Sequence, residues 1–295
     1  MSNIKAPGRR PIVTGKAAVV CYILLGALAA QCHGASEVPV DDGVPSVAPE
    51  IGSSSATVVD NRTNIEKLSD TNSSVRRTAA ILVGNEKKKS NVPALISLLA
   101  DEAVDVRRAA IQGLAVTGDA RAVQPLLNIL KNEKNPQVRM SVVMALGDLK
   151  NKAALPAITA MLKETYPVFR SEALRALGKI NDPSSYSSIV NMLGDEAEGV
   201  RVMSAQVAGN LGIESAAPML IKNISDPVSI VRRACARALG QVGMPSDIAE
   251  LEKLFGDNDA LVSAAAKEAV ELINRRSHDK AAQNAAKGTK KKPLK

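Results

Sequence analysis

A short pattern returns through this chain of 295 residues at a nearly constant interval. Its centre is a valine followed by an arginine, six residues after an acidic residue, and successive copies lie 31 or 32 residues apart. A unit of this length with two short helices cannot bury its own apolar faces, whereas a stack of such units buries them against one another. The repeat therefore predicts an all-α fold, an α-solenoid with a right-handed superhelix of about seven two-helix repeats.

Two charged positions define the pattern. The acids are Asp70, Asp101, Glu133, Glu164, Asp195, Asp226 and Asp257, and the arginines are Arg76, Arg107, Arg139, Arg170, Arg201 and Arg232. The fourth copy has Phe169 in place of the valine, and the seventh copy has Ser263 in place of the arginine.

Each period contains two helical patterns. The second helix begins at Val-Arg and has a small residue three positions after the arginine, which predicts helices that approach each other closely. A glycine eight residues after the arginine recurs in most copies, but the second copy has Ala115 there and Gly113 nearby. The first helix carries a proline at a fixed early place, which fits a first helical turn. These prolines are Pro93, Pro125, Pro156 and Pro218.

This pattern resembles HEAT repeats, in particular the short repeats of phycobilisome-lyase-like proteins, over about residues 61–276. The resemblance implies that the acid lies in the turn between the two helices and accepts hydrogen bonds from N–H groups at the next helix start. It also implies that each arginine reaches the acid of a neighbouring repeat, so that Asp70 to Asp226 and Arg76 to Arg232 form a structural ladder. On this interpretation the recurring motif joins the stack and is not a catalytic site.

The first 34 residues have the composition of a secretory signal peptide. Lys5, Arg9, Arg10 and Lys16 precede the apolar run at residues 17–30, which is short for a membrane span. An uncleaved anchor or a buried helix is the alternative. Cys32 follows the run as the lipidated cysteine of bacterial lipoproteins does, although Gln31 departs from that motif. We therefore expect an exported protein in the periplasm or cell envelope, with membrane anchoring as an option, and a flexible linker at residues 35–60.

Groups that usually carry catalysis are sparse. The two histidines, His33 and His278, lie near the ends, and one body cysteine, Cys235, falls on a small-residue position typical of the core. The chain lacks the repeated His-Glu pairs that hold iron in deoxyhypusine hydroxylase, a HEAT-repeat enzyme. The sequence thus predicts no catalytic residue, no metal site and no cofactor, and hence a protein that is not an enzyme.

Partner binding is the remaining use of such a stack, because solenoids offer a long concave face lined by the second helices. Candidate contact residues follow the ladder arginine or lie one turn further on, although solvated or packing roles fit each one equally well. They are Arg77, Arg108, Arg175, Arg233 and Arg237. The net charge of +8 is concentrated at the two chain ends, so the near-neutral body argues against nucleic-acid binding by the solenoid.

The favoured function is an exported, non-catalytic HEAT-repeat scaffold for protein–protein contacts in the cell envelope. One alternative is a bilin lyase or another enzyme or enzyme accessory. Another is binding of anionic lipid or a polyanion by residues 277–295, a basic tail that the sequence predicts to be disordered.

Overall fold

The structure is a computed structural model that describes residues 60–289, a stretch built of helices and turns without a β-strand. Its α-helices, in chain order, are α1 (Ser73–Asn85), α2 (Val92–Ser97), α3 (Val104–Thr117), α4 (Val123–Asn132), α5 (Pro136–Asp148), α6 (Leu155–Met161), α7 (Pro167–Ile180), α8 (Tyr186–Asn191), α9 (Glu198–Asn210), α10 (Ala217–Asn223), α11 (Ser229–Val242), α12 (Ile248–Glu252) and α13 (Ala260–Thr289).

The helices alternate between two kinds. The odd-numbered ones, here called the second helices, begin at or just before the Val-Arg pair and run for 13 or 14 residues, except the longer α13. The even-numbered ones, the first helices, have five to ten residues and include all four recurring prolines in their first turns. The first repeat has a single 3₁₀ turn, Glu66–Ser69, at the place of its first helix.

The second helices form one continuous row. Each contacts the next along the chain, from α1 against α3 to α11 against α13, and each first helix packs on the second helix of its own repeat. The small residue three positions after each arginine is buried in every copy, from Ala79 to Ala266. The predicted all-α solenoid of seven repeats is confirmed, because the core runs through the whole stack and no repeat holds a core of its own.

The recurring glycines lie where neighbouring second helices come closest. A Cβ atom on Gly147 would lie 2.8 Å from the Cα atom of Ala176, and one on Gly240 would lie 3.0 Å from the Cα atom of Ala269. In the second copy Gly113 does not replace the missing glycine. It is the residue whose Cα atom a Cβ on Gly84 would strike. Glycine is needed at these positions for close approach of two backbones rather than for a special φ.

The last helix differs from the sequence-based expectation. Helix α13 runs to Thr289, so residues 277–289 are helical where the sequence predicts a disordered tail from residue 277. The physical reason is composition, since alanine, lysine and glutamine are strong helix formers and this segment continues directly from the seventh second helix. Arg276 holds the extension to the stack by donating a 2.7 Å hydrogen bond to the carbonyl oxygen of Gly243.

Several predictions fall on residues that the structure does not describe. These are the signal peptide at residues 1–34 with Cys32, the linker before residue 60, and the basic residues 290–295. Among the helices of residues 60–289, none combines the length and the apolar character that crossing a membrane requires.

We predict that the close helix contacts make Gly147→Ala destabilising by about 1–3 kcal/mol, because the new methyl group forces α5 and α7 apart. The matched control is Gly199→Ala in α9, where the added Cβ meets no atom within 4 Å. Alanine is the better helix former, so this control is expected to keep or slightly raise stability. Urea unfolding followed by circular dichroism measures both, and equal midpoints for the two variants would show that close approach does not limit the stack.

Candidate functional site

The ladder residues form inter-repeat ion pairs on one edge of the stack. Arg76 donates from Nε and Nη2 to both carboxylate oxygens of Asp101 in the next repeat, at 2.7 and 2.9 Å. Its Nη1 donates to the backbone carbonyls of Asp70 and Thr71 in its own repeat. The same two-sided arrangement joins further repeats through the pairs Arg170–Asp195, Arg201–Asp226 and Arg232–Asp257.

Each inter-repeat arginine–acid pair is one rung of the ladder, and the two rungs whose acid is a glutamate are less regular. Arg107 reaches Glu133 with one hydrogen bond of 3.1 Å, and Arg139 pairs with Glu164 through Nη2 alone while its guanidinium lies 5.3 Å from the Phe169 ring centroid. Glutamate is one methylene longer than aspartate, so its carboxylate does not meet the guanidinium in the same two-bond geometry.

Six of the seven acids also accept a hydrogen bond within the turn that leads into the second helix of their repeat, and Glu164 is the exception among them. The Oδ1 atoms of Asp101, Asp195 and Asp226 accept from the backbone N–H two residues on, at 2.9 Å. Asp70, which precedes the first inter-repeat pair, accepts from the N–H of Asn72 at 2.7 Å, and its ion pair is with Arg62, at 2.6 Å, rather than with a ladder arginine. Asp257 is the acid that pairs with Arg232. The predicted ladder ended at Asp226, although Asp257 occupies the recurring acid position in the seventh copy.

The rungs depend on ionised carboxylates. The hydrogen bond from Arg76 lowers the pKa of Asp101, and that from Arg232 lowers the pKa of Asp257. Because the folded-state pKa of both acids lies below the unfolded-state value of about 4, their contribution to stability is present above that value. It is lost as the pH falls through the lowered folded-state pKa.

The exposed sides of the second helices carry two grooves. The N-terminal groove lies on α1, α3 and α5 with a volume of about 560 Å³, and the C-terminal groove lies on α9, α11 and α13 with a volume of about 370 Å³. The structure divides the predicted partner-binding arginines among three environments: Arg77 and Arg108 line the first groove, Arg233 and Arg237 line the second, and Arg175 lines neither.

Charges in the N-terminal groove balance. Arg77 and Arg108 are matched by Asp105 and Asp148, and Arg108 lies 3.5 Å from Asp105 in an ion pair that spans one helical turn. Asp148 in turn accepts from Lys179 of the next repeat at 2.6 Å. The exposed apolar side chains of Ile81 and Met144 lie among these charges, so the groove is amphipathic and close to neutral.

The C-terminal groove is richer in positive charge. Arg233 and Arg237 stand one turn apart on α11, and within residues 60–289 neither of them forms an ion pair. Glu268 is the acid that lines this groove. Its floor consists of buried alanines whose small side chains follow from the close crossing of α9, α11 and α13; they are Ala205, Ala234, Ala238, Ala265 and Ala269.

Between the grooves, Arg175 pairs with Glu172 at 3.2 Å on α7. The Oε1 atom of Glu172 is buried and lacks a hydrogen-bond partner, and burial raises the pKa of this carboxyl group. Glu172 was not predicted from the sequence. Its surroundings include Asp148 and Lys179, which lie on two different second helices, and the sequence pattern of one helix does not show such a contact.

Within residues 60–289, the cysteine and the histidine that could serve nucleophilic or metal chemistry lie apart from the grooves. Cys235 is buried in the core, and burial raises the pKa of its thiol to about 12, so the thiolate is scarce at neutral pH. His278 lies exposed on α13, whereas His33 and Cys32 fall outside the described residues. Across residues 60–289 no three His, Cys, Asp or Glu side chains converge in a way that suits a metal ion.

The stacked pairs of short helices joined by an Arg–acid ladder define an α-solenoid of HEAT-like repeats. A family model of HEAT repeats matches residues 62–135, 123–206 and 187–271. The chain therefore belongs to the HEAT-repeat family, as the sequence pattern predicted.

Two curated relatives are bilin biosynthesis proteins. The chain is 43% identical over 77 residues to the bilin biosynthesis protein PecE of Mastigocladus laminosus and, to the same degree, to that of Nostoc sp.. The match covers 26% of this chain and 28% and 30% of the two relatives, so the similarity spans less than a third of their length.

Solved structures with a similar fold have different activities. The complex of CpcE and CpcF of phycocyanin lyase from Nostoc sp. is 22% identical, covering 82% of this chain and 99% of that one, with a TM-score of 0.46. Human deoxyhypusine hydroxylase is 20% identical, covering 72% and 83% of the two chains, with a TM-score of 0.39. Likeness at this level carries no information on activity.

The curated relatives overturn two expectations. The interpretation of the chain as a non-catalytic scaffold, and the conclusion that it is not an enzyme, are wrong, because the relatives found by sequence are bilin biosynthesis proteins. The scaffold expectation rested on the repeat register, the scarcity of catalytic groups and the predicted signal peptide, and the expectation of no enzyme rested on the scarcity of catalytic groups alone.

We predict that Arg232→Gln removes roughly 2 kcal/mol of stability, because the partly buried Asp257 then loses the charge-assisted hydrogen bonds that it accepts from Arg232. It should also weaken the loss of stability on acidification, since the pKa of Asp257 is no longer lowered by Arg232. The adjacent Arg233→Gln, which breaks no ion pair, is the control and is expected to change stability by less than about 0.5 kcal/mol. Urea unfolding at pH 7 and at about pH 2.5, which lies below the unfolded-state pKa of about 4, distinguishes them; a similar loss for both variants would contradict the ladder.

Proposed function

We propose that this chain is a lyase of the bilin type, which holds a linear tetrapyrrole pigment and the protein that accepts it. The observation that carries the proposal is the 43% identity over 77 residues to two bilin biosynthesis proteins. Since the match covers 26% of the chain, the activity of those proteins is extended to this one as a proposal.

The second-helix face supports this function through its two distinct grooves. A lyase that joins a pigment to a protein has two occupants of different chemistry to hold. The C-terminal groove has an apolar floor and two arginines without ion-pair partners among residues 60–289, and it is the one we assign to the pigment. Its volume of about 370 Å³ lies in the range of small-molecule sites.

We assign the acceptor protein, or a partner subunit, to the N-terminal groove. This groove is larger and combines exposed Ile81 and Met144 with balanced charges at Arg77, Arg108 and Asp105. Mixed apolar and charged surfaces with arginine are typical of contacts between proteins that also exist apart. The phycocyanin lyase from Nostoc sp. is itself a complex of two proteins, CpcE and CpcF.

The lyase proposal predicts pigment transfer. Full-length protein, free phycocyanobilin and an apo-phycocyanin subunit are incubated with and without CpcF, and bound pigment is measured by absorbance after denaturation in acidic urea. We expect pigment that remains on the acceptor only in samples containing this chain. The double variant Ile81→Asp, Met144→Asp, altered in the N-terminal groove, is expected to reduce transfer while leaving the unfolding midpoint unchanged. If the acceptor carries equal pigment with and without this chain, both in the samples that contain CpcF and in those that lack it, lyase activity is refuted.

We further propose that residues 1–34 direct export to the cell envelope and that Cys32 is a candidate anchoring site. The support is the basic start followed by the apolar run at residues 17–30. Expression of the full chain in a bacterium, followed by fractionation and mass analysis of the mature protein, tests this. We expect a shortened protein in the envelope fraction, with a lipid mass that disappears in Cys32→Ser if the anchor is used. An intact chain in the cytosol would contradict export and leave the lyase proposal untouched.

A further inference from the structure

The two grooves contain the same number of arginines but differ in what those arginines face. In the N-terminal groove Arg108 is paired with Asp105, and Asp148 supplies a second negative charge. In the C-terminal groove Glu268 is the one lining acid, and in the described part of the chain no carboxylate lies within ion-pair distance of Arg233 or Arg237. Asp259, outside the lining, is near enough for the charge of Arg233 to contribute to lowering its pKa. A net positive charge over an apolar floor favours an anionic ligand.

The spacing of the two arginines suits a molecule with two separate acid groups. Side chains at i and i+4 of a helix lie about 5–6 Å apart at Cβ, so the long guanidinium arms of Arg233 and Arg237 reach two points along the groove. Arg233 is half-buried and Arg237 is exposed, and each can donate two parallel hydrogen bonds to a carboxylate.

The rest of the groove suits an extended apolar body. Buried alanines form the floor, and Val202, Ile230 and Leu272 add larger apolar surface around it. Gln206, Asn210 and Gln241 supply amides at its margin, and Glu268 offers an acceptor for N–H groups of the ligand. A flat chain of nitrogen-containing rings that bears two carboxylates matches all of these features.

We propose that Arg233 and Arg237 are the carboxylate-binding residues of this chain, and that they pair with the two propionate groups of a linear tetrapyrrole lying over the alanine floor of the C-terminal groove. The proposal rests on the proposed function, which names the pigment class, and adds where and through which charges the pigment is held. Neither arginine is required by the ladder, because the rung of this repeat is made by Arg232.

The test uses biliverdin, titrated into the full-length protein and followed by its visible absorbance. We expect Arg233→Gln and Arg237→Gln each to raise the dissociation constant about tenfold or more, since each removes a charge-assisted pair. The control is the double variant Arg77→Gln, Arg108→Gln in the N-terminal groove, which should bind biliverdin as the wild type does. Biliverdin dimethyl ester, which lacks both negative charges, should bind weakly and be insensitive to changes at Arg233 and Arg237.

Three outcomes would overturn the assignment. They are wild-type protein that does not bind biliverdin, a variant carrying both Arg233→Gln and Arg237→Gln that binds it as tightly as the wild type, and dimethyl ester that binds as tightly as the free acid. Failure of the lyase proposal has a different signature. Arginine-dependent binding without transfer to an acceptor would retain this site and reject the activity, whereas transfer that is unaffected by Arg233→Gln and Arg237→Gln would reject the site and retain the activity.

Discussion

Every repeat of this protein is joined to the next through one arginine. Arg76, Arg170, Arg201 and Arg232 each bind two backbone carbonyls of their own repeat with Nη1 and both carboxylate oxygens of the following repeat's aspartate with Nε and Nη2. A guanidinium satisfied on both sides fixes the distance and the angle between neighbouring repeats, because its donors point in set directions. The helices then have little freedom in how they meet, and their sequences are fitted to that geometry.

Small residues are the consequence of that geometry. Once the ladder sets the spacing, the second helices cross so closely that a Cβ on Gly147 or Gly240 would meet the next backbone. The same closeness requires alanine at Ala238 and Ala269, which face these crossings and also form the floor of the C-terminal groove. The packing of the stack and the shape of the groove therefore follow from one constraint, and substitutions in the floor are expected to affect both.

Features that depend on residue spacing within one repeat could be predicted from the sequence. Features that depend on contacts between repeats could not. The Val-Arg and acid positions predicted the second helices and the solenoid because these patterns act within about 31 residues. The 3₁₀ turn at Glu66–Ser69 was missed because the first repeat has no preceding repeat to complete it. The sequence placed Arg77, Arg108, Arg175, Arg233 and Arg237 in one class, whereas their partners differ: Asp105 for Arg108, Glu172 for Arg175, and no ion pair for Arg233 or Arg237 within residues 60–289.

The ladder is the same in most repeats, whereas the exposed side of the second helices varies. One repeat architecture can therefore present different side chains to a ligand. The ladder uses one edge of each second helix, so the residue after the ladder arginine can change from Arg77 to Met140, Val202 or Arg233 without disturbing a rung. Charge on the face is thus set repeat by repeat, and it becomes neutral over α1, α3 and α5 but positive over α9 and α11. Because the same row of helices carries both grooves, the proposed pigment and the proposed protein partner would lie on one continuous surface, each facing the charges that the local repeats supply.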